Sequence, residues 1–168
     1  MTRFLYDVPE SIPVIYGIPA ELVFSHFSAP LLLILSDDRR FGLQVDTELA
    51  SVVIKPFSGE EASDESAFFN DAHYTAVDSG DAAYSEDKFA AALHSEITGV
   101  HIYTRSPKNA KLKTRPREAG LGLELANGTE CIFSCGLHDG SDDFSVIFRS
   151  DIPAEVFVQL QIAQIANS

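Results

Sequence analysis

The chain has no tryptophan, one methionine and only two cysteines, and it is short of positive charge: 12 Lys and Arg stand against 25 Asp and Glu. Each scarcity excludes something. Two cysteines cannot staple a disulfide-rich scaffold. They sit four apart, at Cys131 and Cys135, so in a strand they lie on one face about 13 Å apart. A disulfide needs Cα atoms within about 7 Å, so the expectation is two reduced core thiols in a cytoplasmic protein. The formal charge of -13 repels nucleic acid and anionic membranes, so neither is expected as a partner.

No long apolar run is present either. The longest is Ala29 to Leu35, far short of the roughly 20 residues of a membrane span. Met1 to Tyr16 holds one Arg and no apolar core, so it does not read as a signal peptide. Glycine-rich phosphate loops, nucleophile elbows, His-Glu-x-x-His and Cys-x-x-Cys are all missing. His26, His73, His94, His101 and His138 are never three or four residues apart. No cofactor, metal or catalytic set is therefore expected. The nearest thing to one is His138 with Asp139 and a remote Ser or Cys.

What is there reads mainly as strand. Hydrophobic residues make up 45% of the chain and charged residues 22%, a globular balance. Leu31, Leu33 and Leu35 alternate with apolar neighbours, and Phe41, Leu43 and Val45 alternate after them. Leu121, Leu123 and Leu125 lead to Asn127-Gly128, a type I′ hairpin signal, and Cys131, Phe133 and Cys135 return from it. Phe144, Val146 and Phe148 follow. One helix is expected near 85–97, with Ser85 as N-cap and Phe89, Ala92, Leu93 and Ile97 on one face. Residues 153–165 alternate like a strand, yet Asp151 and Pro153 also suit a helix start.

The two halves resemble each other. Ile18–Ser25 can be laid on Ile97–Thr104, Ala29–Val45 on Ala119–Cys135 without a gap, and Ser51–Lys55 on Ser145–Arg149. The expected fold is α+β, mainly antiparallel β, in one domain over residues 1–168. It comprises two tandem four-stranded meander units, 18–56 and 97–150, joined through an acidic connection at 57–87. Unpaired edge strands of a meander would also admit a homodimer.

Three surplus segments then stand out, because connections on a rigid scaffold carry function. Pro56 to Asp87 holds nine acids and no Lys or Arg, with Phe68, Phe69, His73, Tyr74 and Tyr84 among them. Aromatic anchors framed by carboxylates suit a protein-binding surface; the plainer reading is an acidic loop whose aromatics dock on the core. Arg105, Lys108, Lys111, Lys113, Arg115 and Arg117 form a basic segment, readable as a phosphate site or as a solvated arm. Leu137 to Asp143 gathers a His, a Ser and three carboxylates. It lacks the spacing and closing Glu of a calcium loop and reads as a polar turn.

The function expected from these features is a non-enzymatic acidic binding protein, in its specific form a bacterial immunity protein that neutralises a basic toxin domain. The residues expected to meet that partner are Glu60, Glu61, Asp64, Glu65, Phe69, Asp71, Tyr74, Asp139, Asp142 and Asp143. The alternatives are a secretion chaperone or adaptor for an effector, and a small-ligand-binding β domain.

Overall fold

The computed structural model describes residues 19–25, 31–35, 39–46, 51–57, 76–78, 95–106, 113, 118–138 and 144–165. Over these residues the protein is mostly antiparallel β, in two sheets, with one lone helix. The first sheet holds β1 (Pro19–Ser25), β2 (Leu31–Leu35), β3 (Arg40–Asp46), β4 (Ser51–Phe57) and β5 (Ala76–Asp78). The second holds β6 (Ser95–Arg105), β7 (Glu118–Leu125), β8 (Glu130–Cys135), β9 (Phe144–Phe148) and β10 (Leu160–Gln164).

The strand path runs β4-β3-β2-β1-β6-β7-β8-β9, with β5 on β1 and β10 on β6. The sheets meet where β1 pairs with β6 through Pro19↔Glu96 and Ala20↔Ser95. Period-two alternation explains the main core. Leu33, Leu35, Phe41, Leu43 and Val52 come from the first sheet, and Ile97, Val100, Leu121, Leu123, Leu125, Cys131, Phe133 and Cys135 from the second. Both cysteines are buried there as free thiols.

The second sheet is covered on its other face as well. Tyr103, Ile132, Leu137, Ile147 and Ile152 form a second cluster, with Val156, Phe157, Leu160 and Ile162 packed against it. The covering segment is a 3-10 turn, Arg149–Asp151, followed by α1, Ala154–Phe157. Pro153 caps α1; its carbonyl accepts the Val156 and Phe157 N–H groups at 2.9 Å. The two readings of residues 153–165 thus divide the segment: a single helical turn follows the proline, and a strand takes the alternating residues after it.

Two expectations need correction. The helix near 85–97 cannot reach its stated end, because Ser95, Glu96 and Ile97 belong to β6 and pair with β1 and β7; its remaining residues, 85–94, lie outside the described ones. The hairpin turn is also one residue out. Gly128 N–H donates to Leu125 C=O at 2.9 Å and Leu125 N–H to Thr129 C=O at 2.8 Å. The central pair is therefore Ala126-Asn127, not Asn127-Gly128. Gly128, at φ 81°, takes the left-handed place that closes a three-residue loop. Asn127 Oδ1 accepts the Thr129 N–H at 2.9 Å, which holds this form of the turn.

Candidate functional site

Strands β6, β7 and β8 present a polar cluster within the second sheet's covered face. His101 on β6 stands opposite Gly122 on β7, and Gly122 stands opposite Ile132 on β8. Glu130 lies two residues before Ile132, on the same face, diagonal to Gly122. His101 Nδ1 and Glu130 Oε1 are 2.7 Å apart. Arg149 Nη1 approaches the other oxygen, Glu130 Oε2, at 3.5 Å. On its far side, His101 Nε2 lies 4.0 Å from Glu124 Oε2.

Two glycines make room for these carboxylates. A Cβ built on Gly122 would collide with Glu130 Oε1 and come within 2.9 Å of the Tyr103 ring. One built on Gly99 would lie 2.7 Å from Glu124 Oε2. Glycine inside a strand weakens it and marks a close approach; here the approaching groups are ionisable side chains.

The cluster is deep. Glu130 is 8% exposed and His101 14%, whereas Glu124 and Arg149 are about half exposed. A buried carboxylate costs several kcal/mol unless it is paired and hydrogen-bonded, and each Glu130 oxygen has a partner. Arg149 also lies over the Phe157 ring, 5.3 Å from its centroid, which ties α1 to the cluster. Tyr103 is fully buried, and its hydroxyl has no hydrogen-bond partner of ordinary geometry, although the Glu130 carboxyl lies beside it. Burial first, then the hydroxyl's attraction to Glu130 and the Glu130 charge, push the Tyr103 pKa well above its ordinary value of 10.0.

A second polar chain lies further along β8. Ser134 Oγ accepts the Leu137 N–H at 3.4 Å and lies 3.0 Å from Ser145 Oγ. Ser145 Oγ in turn lies 3.3 Å from His138 Nδ1. This joins His138 to a serine, as the catalytic alternative required, while the thiols of Cys131 and Cys135 point into the main core on the other face. The geometry suits a chain of hydroxyls that fastens the turn after β8 to β9.

The ten residues expected to meet a partner, Glu60, Glu61, Asp64, Glu65, Phe69, Asp71, Tyr74, Asp139, Asp142 and Asp143, all lie outside the described residues. Of the basic segment, Lys113 is exposed, and Arg105 Nη2 donates to Gly136 C=O at 3.4 Å; the other four lie outside. Sequence reasoning missed the His101–Glu130–Arg149 cluster, since its members are far apart in the chain. The readable signal was a pair of strand glycines, Gly99 and Gly122, beside ionisable residues. Compared with family models, with curated proteins and with solved structures, the chain matches none.

Proposed function

We propose that this chain is a non-enzymatic binding protein for a basic protein, in its specific form a cytoplasmic bacterial immunity protein that neutralises a basic toxin domain. The observation that carries the proposal is the charge: 25 acids against 12 bases, with nine acids and no bases from Pro56 to Asp87. Such a field steers a cationic partner and raises its encounter rate. The described ionisable cluster also fits a structural role, because both Glu130 oxygens are engaged within the chain.

The scaffold in this proposal is two tandem four-stranded meanders, β1–β4 and β6–β9. The strand registers support it. Leu31↔Leu43 and Leu33↔Phe41 on β2–β3 correspond to Leu121↔Phe133 and Leu123↔Cys131 on β7–β8 under the gap-free alignment. The closing hydrogen bonds correspond too: Leu35 N–H to Arg39 C=O at 2.9 Å, and Leu125 N–H to Thr129 C=O at 2.8 Å. Each first strand also takes a further antiparallel partner, β5 on β1 and β10 on β6. The surplus acidic segment then lies between β4 and β6 and includes β5, and in the proposal it supplies the partner surface, with residues 138–143 as a second contributor.

One observation favours a second reading, a small-ligand-binding β domain: the buried Tyr103 hydroxyl beside Glu130, which has no hydrogen-bond partner of ordinary geometry. Affinity capture from the native cytosol, followed by binding kinetics against the captured protein, separates the two. A basic protein whose association slows with salt supports the first reading. Capture of no protein, or of one whose association ignores salt, removes it.

A further inference from the structure

Among the described residues, β4, β9 and β10 each have one neighbouring strand in the sheet pairing and are long enough to offer an edge. Exposed edges are normally blunted by charge, by proline or by a cap. β4 carries Lys55 and Pro56. β9 is flanked by Asp142, Asp143 and Arg149, and its Phe148 N–H donates to Asp151 Oδ2 at 2.9 Å. β10 has none of these devices among the described residues. From Val156 to Ser168 the chain contains no Asp, Glu, Lys, Arg, Pro or Gly.

The direction of the β10 backbone follows from two bonds at its ends. Ser106 N–H donates to Gln159 C=O, and Ile165 N–H to Val100 C=O, both at 2.8 Å. Antiparallel ladders alternate, so Gln159, Gln161, Ala163 and Ile165 turn their backbone groups toward β6. Leu160, Ile162 and Gln164 turn theirs away, and among the described residues nothing pairs with them. Just before the strand, Val158 is 78% exposed, the one large apolar side chain so exposed among the described residues.

We propose that β10 pairs antiparallel with β10 of a second copy, with the two-fold axis at Ile162. Leu160 then faces Gln164 of the second copy, Gln161 faces Ala163, and Ile162 faces itself. The three outward N–H groups of each copy meet the three outward carbonyls of the other, so the edge is complementary to itself. Charge selects this occupant. Two copies at -13 each repel over most of their surface, and this uncharged edge lets them meet without opposing like charges in the seam. A charged partner finds nothing there to recognise. The inference is independent of the basic-partner reading and has the opposite salt dependence: screening strengthens the dimer and weakens a basic partner's attraction.

Sedimentation equilibrium of the full chain tests it. The wild type is expected at twice the 18.3 kDa chain mass, with dimer favoured as salt rises. Ile162→Pro removes an outward N–H and leaves the β6 ladder intact, since proline is tolerated on an edge; it should be monomeric with an unchanged circular dichroism spectrum. Because Gln161 and Ala163 are exposed and face each other across the seam, Gln161→Lys with Ala163→Lys should also give a monomer. Gln161→Glu with Ala163→Glu should do the same, and mixing the lysine and glutamate variants should restore a dimer. A wild type that stays monomeric at every concentration, or a lysine variant that stays dimeric, overturns the proposal. The lysine pair decides the matter should Ile162→Pro fail to fold.

Discussion

His101 and Glu130 lie two strands apart and still meet at 2.7 Å, because the residue between them, Gly122, has no side chain to keep them apart. A cross-strand neighbour on β7 would ordinarily occupy that space. The arrangement buries a carboxylate in the second sheet's covered face and binds β6, β8 and the segment after β9 through one group.

Gly122→Ala should therefore be more damaging than a surface glycine substitution. The new methyl group must displace Glu130, which is 8% exposed. Leaving a buried polar group unsatisfied costs about 1–3 kcal/mol. Denaturant unfolding should show a lower midpoint with an unchanged slope. An unaffected midpoint would mean that Glu130 moves freely.

Tyr103→Phe should be neutral or stabilising. The hydroxyl it removes is buried with no hydrogen-bond partner of ordinary geometry, and such an orphan carries a desolvation cost of about 1–3 kcal/mol. Chemical denaturation checks this directly. A clear loss of stability would point to a partner for the hydroxyl.

The same tyrosine sets a pH dependence. Its folded pKa lies above its unfolded value of 10.0, so the folded state holds the phenolic proton more tightly. The stability this gives is fully present below pH 10.0 and is lost as pH rises beyond it. Folded protein should retain a neutral tyrosine under alkaline conditions that ionise exposed ones, as read by phenolate absorbance. Tyr103→Phe should abolish that retained signal. A single ordinary titration of all five tyrosines in the folded wild type would contradict it.

Leu123→Ala should cost roughly 2–5 kcal/mol as a large-to-small core change, since Leu123 is 1% exposed in the main core. In the wild type, Cys131 and Cys135 should react with a thiol reagent only on unfolding, because both are buried. Rapid labelling of native protein would contradict the packing.

Alternation was the most informative feature of the sequence. It located the buried residues of β2, β3, β7 and β8, because the side-chain period of a strand is fixed. It failed where the backbone departs from that period. A register shift between Ile97 and Gly99 moves β6 by one residue. Ala20, which faces Leu35, is the counterpart of Ile97, which faces Leu125, and Leu22, which faces Leu33, is that of Val100, which faces Leu123, so the alignment of Ile18–Ser25 on Ile97–Thr104 is out by two residues before the shift and by one after it. The β9 alignment slips by two with no register shift in either pairing: Leu43↔Ile54 corresponds to Phe133↔Val146, and a two-residue slip keeps the same face inward, so alternation alone cannot detect it. The polar cluster was illegible because proximity between His101 and Glu130 depends on strand order and on an intervening glycine.

The most direct test of the binding proposal is the association rate with the captured basic protein as salt is raised. The Debye length falls from about 10 Å at 0.1 M to about 3 Å at 1 M. The proposal predicts a steep fall in on-rate with little change in off-rate. Replacing Glu60, Glu61, Asp64 and Glu65 with Ser should reproduce that fall at low salt, and Phe69→Ala or Tyr74→Ala should instead raise the off-rate. An on-rate that ignores salt, or a quadruple variant that associates as fast as the wild type, would contradict it.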